Sequence, residues 1–152
     1  MARPVSTQRR PRIGAAAAEL AILAPILFFL FAIAVDYGRI FYYTQMLRAA
    51  ARNGSYFASN YPGLYSYQTA EQVTRADLTT LSPAPGVQIH YSTDPNGPYT
   101  STIPVGTGTN YVEVQVTWTF NSITNFPLVP NQKALLGSSR MRVAQVEPTF
   151  PP

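Results

Sequence analysis

The chain divides by the rhythm of its apolar residues. From Ala15 to Val35 there are 21 residues with a single charge, Glu19. At ~1.5 Å of rise per residue this run makes a helix of roughly 31 Å, the hydrocarbon thickness of a bilayer. A helix buried in a water-soluble core seldom stays apolar on every side for so long. The run predicts a membrane-inserted helix, and Pro25 within it predicts a bend, because proline removes a backbone donor and crowds the preceding turn. Beyond Asp36-Tyr37-Gly38-Arg39 the period changes. Ile40, Tyr43, Leu47, Ala50, Gly54 and Phe57 recur on one side of a helix, and Gln45, Arg48 and Arg52 share the other. This amphipathic continuation is expected to end near Asn60-Tyr61-Pro62-Gly63. Ala49, Ala50, Ala51, Gly54 and Ala58 either admit a closely packed neighbour or serve simply as helix formers.

The rest of the chain carries a shorter period. Thr69-Ala70-Glu71-Gln72 fits a capping box opening a short helix that runs to about Leu78. Val87–Ser92 reads as a strand, Asp94-Pro95-Asn96-Gly97 as a turn, and Tyr99–Ile103 as a second extended piece. The plainest alternation is Tyr111–Phe120. Val112, Val114, Val116, Trp118 and Phe120 point one way, while Tyr111, Glu113, Gln115, Thr117 and Thr119 point the other. A last strand is expected over Ser139–Val146, and Pro148–Pro152 is expected to stay extended. The economical arrangement is α+β: a long N-terminal membrane helix with an amphipathic extension, then a small antiparallel β-rich domain with one wet face. The expected divisions are a basic leader over 1–14, the helix over 15–59 and an exported part over 60–152.

Charge sharpens this picture. Four of the eleven basic residues (Arg3, Arg9, Arg10, Arg12) precede Gly14, which leaves seven basic against seven acidic in the remainder. The net charge of +4 therefore belongs to the leader, and no nucleic-acid face is expected. Arginines ahead of an apolar helix keep the N-terminus cytoplasmic and send the residues beyond Val35 outward. The chain has no cysteine, so it carries neither a disulfide nor a thiolate nucleophile. His90 is the single histidine, and neither a catalytic constellation nor a metal-ligand set accompanies it. Asp94 and Asn96 are part of a turn and lack the other ligands of a calcium loop. Tyr56, Tyr61, Tyr65 and Tyr67 are expected to pack between helix and sheet. No catalytic residue, cofactor or metal is expected.

A glycine, four alanines and a glutamate follow the basic leader and open the apolar run. This order resembles the processing site of type IV prepilin-like proteins. The longer stretch "GAAAAELAILAPILFFLFAIAVDYGRIFYYTQMLRAAARNGSYFAS" resembles TadE-like proteins, minor pilins or pseudopilins of the tight-adherence (Flp) pilus system. The resemblance implies cleavage by a prepilin peptidase between Gly14 and Ala15, which makes Glu19 the fifth residue of the mature chain. Leu20 stands where Flp-type major pilins often have an aromatic, and the chain is longer than such pilins, so a minor role is implied. The resemblance further implies a bacterial cytoplasmic-membrane location with a single pass, and surface attachment as the purpose. Its implied partners are membrane lipid, the peptidase, the major Flp pilin, other pseudopilins and an inner-membrane assembly platform driven by a cytoplasmic ATPase.

A carboxylate within a bilayer is expensive unless it is partnered. Cleavage would give Ala15 a free amine, and Glu19 of one subunit would pair with that amine on the next. Such pairing offsets desolvation and selects one axial register. Lying only roughly 7 Å in from Ala15, Glu19 can also reach the headgroups by itself. Two other readings stay open. Ala32-Ile33-Ala34 resembles a signal-peptidase site, which would make the chain an ordinary exported protein. An uncleaved single-pass anchor whose outer β domain binds a ligand or carries an enzyme activity is the other, and the lack of a catalytic constellation weighs against the enzyme version.

Overall fold

A computed structural model describes residues 13–60, 67–102, 110–123 and 129–143. One helix, α1 (Ile13–Asn60), takes up 48 residues and runs through Pro25 without interruption. Its length is roughly 70 Å. A second helix, α2 (Tyr67–Ala76), and three strands come after it: β1 (Gly86–Ser92), β2 (Tyr111–Asn121) and β3 (Gln132–Arg142). The strands form one antiparallel sheet in the order β1-β2-β3. The fold class is α+β, as the two hydrophobic periods predict.

The C-terminal part of α1 lies along the inner face of the sheet. Leu47, Ala50 and Ala51 are buried against Ile89, Val112, Val114, Val116 and Phe120. Each fully buried Leu, Ile or Phe is worth about 1.5–3 kcal/mol. The predicted stripe is the buried one: Ile40, Leu47, Ala50 and Gly54 are covered, Tyr43 and Phe57 are half-buried, and Gln45, Arg48 and Arg52 are exposed. The helix and β2 run in opposite senses. Ser55 meets Ser139 beside the start of β2 (Oγ···Oγ 2.8 Å), Tyr43 meets Trp118 and Phe120 near its end, and Asp36 meets Ile123 just past it.

Two glycines allow the close packing. A Cβ on Gly137, in the middle of β3, would run into the backbone of Leu47 and Arg48. A Cβ on Gly54 would run into the side chain of Thr74 in α2. Of the small residues in α1, Ala50, Ala51, Gly54 and Ala58 are therefore contact positions, whereas Ala49 faces outward.

Several expectations need correction. The helix α2 begins two residues before Thr69, so Thr69 lies inside it and no capping box opens there. The last strand begins at Gln132, not Ser139. Gly137 breaks the propensity pattern and hides the strand's first half, yet it is the residue that the α1 backbone requires. The strand stops at Arg142, which pairs with Tyr111, the first residue of β2. Val143 then donates its N–H to the Asn110 carbonyl (2.8 Å), and residues 144–146 lie outside the described ones. The extended piece at Tyr99–Ile103 reduces to one bridge, Tyr91 to Thr100, and Ile103 lies outside the described residues. Tyr56 does not pack between helix and sheet. It projects to solvent from the side of α1 that carries Arg52, and Tyr43 and Tyr91 supply packed rings instead. Tyr61, Tyr65, the leader up to Arg12 and the tail from Pro148 lie outside the described residues.

The glycine contacts predict opposite outcomes for one substitution. Gly137→Ala forces apart two backbones and should cost about 2–3 kcal/mol. Gly38→Ala meets nothing within 4 Å and should be neutral, or stabilise the helix by up to about 1 kcal/mol. Urea unfolding in detergent, followed by emission of the single tryptophan, Trp118, distinguishes them.

Candidate functional site

The first half of α1 projects from the domain. Its most apolar 18-residue window has a mean hydropathy of 2.5, and none of that window is buried within the protein. Ile22, Ile26, Phe28 and Phe31 all stand exposed, Phe28 at 72%. Water does not tolerate such a surface as a contiguous patch. Length and composition suit a single pass through a membrane.

Gly14, Ala15 and Glu19 lie together in the first two turns of α1. The helix begins at Ile13, so Gly14 is already helical. No described residue packs near the position a Gly14 Cβ would take. Ala15 and Glu19 are exposed, and four residues of separation put them on one side of the helix. Glu19 forms no hydrogen bond or ion pair with any described residue. The projecting segment thus carries an exposed carboxylate with no partner among the described residues.

A second constellation sits where the apolar run ends. Asp36 is 0% exposed despite standing next to the span. Its Oδ1 accepts from Arg39 Nη1 at 3.2 Å and, at a longer 3.4 Å, from the backbone N–H of Ile123. The Arg39 guanidinium also lies 5.0 Å from the Phe120 ring centre and 5.9 Å from that of Tyr43. Cation–π attraction and the carboxylate together fix its position. In the sequence, the Asp-Tyr-Gly-Arg stretch reads as the polar end of the membrane run and as part of the stretch that carries the family resemblance. Hidden there is the second role of Asp36, which fastens the far end of β2 to the helix, 87 residues away along the chain.

The remaining chemistry-bearing residues meet on the outer face of the sheet. His90, Glu113 and Arg140 are direct cross-strand neighbours on β1, β2 and β3. Glu113 alternates outward as predicted, yet it is only 5% exposed. Arg140 Nε donates to its Oε1 at 2.7 Å, and the Tyr99 ring lies 5.0 Å from the guanidinium carbon. The hydrogen bond and charge of Glu113 hold the Arg140 pKa above its usual range. Only the register of three strands reveals this pair, and the sequence does not display it. Asp94 is occupied by its turn, with Oδ1 accepting from the Asn96 N–H at 2.8 Å. Among the described residues no three His, Asp or Glu side chains are grouped as metal ligands.

The Asp36 junction predicts that Asp36→Ala costs about 2–3 kcal/mol, the worth of lost hydrogen bonds to a charged group. The measurement is again Trp118 emission against urea, with Asp94→Ala as an exposed comparison expected to shift the midpoint little. No curated protein and no solved structure matches the chain. Residues 14–55 match the family model described as TadE-like protein, and the matched segment holds both Glu19 and the Asp36 junction.

Proposed function

We propose that the protein is a minor pilin or pseudopilin of a tight-adherence pilus, working by assembly and not by catalysis. The observation that carries this reading is an apolar helix that its own domain leaves bare, with Glu19 five residues after Gly14 and no partner among the described residues. A prepilin peptidase cuts between Gly14 and Ala15, leaving an ammonium group at the head of the helix. The Glu19 carboxylate of one subunit takes up the Ala15 ammonium of a neighbour. The pair is worth most where water is excluded, because either charge alone in lipid is costly. Mismatched axial registers leave both charges single, so the interaction selects one stacking distance.

The domain over 60–152 faces outward, consistent with the arginines ahead of the span. In this reading the protein joins the major pilin, other pseudopilins and the inner-membrane platform in building a pilus for attachment. In this reading its work needs neither a catalytic residue nor a cofactor.

The mature N-terminus tests the processing step. Mass spectrometry of protein from its native membrane should find Ala15 as the first residue. A start at Val35 would mark an ordinary secretory signal, and a retained leader would rule out processing. Glu19→Ala should leave membrane insertion intact while reducing co-fractionation with pilus components by an order of magnitude or more, a loss of at least ~1.4 kcal/mol per contact. Unchanged co-fractionation would remove Glu19 from assembly.

A further inference from the structure

We infer that the membrane-proximal end of the sheet, centred on Ile123, rests in the headgroup layer of the phospholipid bilayer as a second membrane contact beside the helix. The inference rests on the reading of α1 as a membrane-spanning helix, and it deepens that reading by giving the domain a fixed seat on the lipid surface.

Height along the helix axis places the contact. An apolar run from Ala15 to Val35 fills a hydrocarbon layer of ~30 Å, so Asp36 stands at its outer boundary. The backbone N–H of Ile123 lies 3.4 Å from Asp36 Oδ1, which puts Ile123 at that same boundary. The contact is buried on the protein side, since Asp36 has no exposed surface. Ile123 itself is 70% exposed. A large aliphatic side chain held at this height meets the border of headgroups and acyl chains, where burial of apolar surface is favourable.

Neighbouring residues have the same interfacial chemistry. Tyr37, Phe41 and Tyr42 are exposed on α1 within about 9 Å of axial rise from Asp36. Aromatic rings are favoured at this level because one edge is apolar and the other wet. Lys133 is exposed opposite Phe120 at the same end of the sheet, and its ammonium suits phosphate groups. Because β2 runs antiparallel to α1, Ile123 is the membrane-facing end of the sheet and Tyr111 the distal one. Helix tilt of the usual size toward the sheet seats Ile123 deeper and leaves the order of heights unchanged.

The absence of cysteine makes the test direct, since every introduced thiol is the sole labelling site. Full-length protein carrying Phe28→Cys, Ile123→Cys or Ser138→Cys is labelled with a nitroxide. It is reconstituted into vesicles of phosphatidylethanolamine and phosphatidylglycerol. Oxygen and water-soluble nickel relaxation then give the depth of each label. Ser138 is exposed on the outer sheet face opposite Gln115, eight residues from Ile123 along β2, or roughly 27 Å. The expected result is a Phe28 label in hydrocarbon, an Ile123 label within about 5–10 Å of the headgroup–acyl boundary, and a Ser138 label in water. A Phe28 label in hydrocarbon with an Ile123 label as water-accessible as Ser138 overturns the second contact and leaves the spanning helix standing. A Phe28 label in water overturns the spanning helix and the inference with it. Quenching of a bimane label at Ile123 by lipids brominated near the headgroup provides an independent reading, with the same two outcomes.

Discussion

At Leu47 the backbone of a helix and the backbone of a strand lie so close that Gly137 contributes only a hydrogen to the gap. This contact sets the height at which the sheet is mounted on the helix. Once Gly137 sits at Leu47, the course of β3 brings Ser139 to Ser55 in one direction and that of β2 brings Ile123 to Asp36 in the other. The buried stripe of α1, the aromatic contact of Tyr43 with Trp118 and Phe120, and the Asp36 junction all depend on that register. Side chains of ordinary size at the crossing would lift the sheet from the helix and open the core between them.

Long periods were legible in the sequence and local exceptions were not. The apolar run and the stripe from Ile40 to Phe57 announce a continuous helix with two environments, and α1 is that helix. Alternation from Tyr111 to Phe120 announces a strand with an inner and an outer face, and β2 has both. The start of β3 was hidden because Gly137 is a poor strand former on its own terms and is placed for its neighbour's backbone. The burial of Glu113 was hidden because its partner Arg140, itself packed on the Tyr99 ring, comes from another part of the chain. Thr69 shows the opposite error. A capping pattern is a local preference, and a helix whose buried side includes Ala70 and Thr74 can begin ahead of it.

The candidate site divides in the same way. Gly14, Ala15 and Glu19 are contiguous in sequence, so their order was visible without a structure, and their place on the bare end of α1 adds accessibility. Asp36 and Arg39 were visible as polar residues at the end of an apolar run and as part of the stretch that carries the family resemblance. Their second task, holding the end of β2 through Ile123, requires the fold. The two sites thus occupy opposite ends of the same span. One carries a carboxylate exposed on the bare helix, and the other carries one that is buried and bonded within the subunit.

The parallel alignment of helix axis and strands has a mechanical consequence. A tug directed along α1 and resisted at the sheet does not peel the domain open strand by strand. The load crosses the packing between α1 and the sheet, and any part that reaches the strands acts along them, in shear across hydrogen bonds that lie perpendicular to the strands. The close crossing of Gly137 at Leu47 resists sliding in the same direction. A domain built this way yields late to axial traction and much sooner to a pull across the sheet.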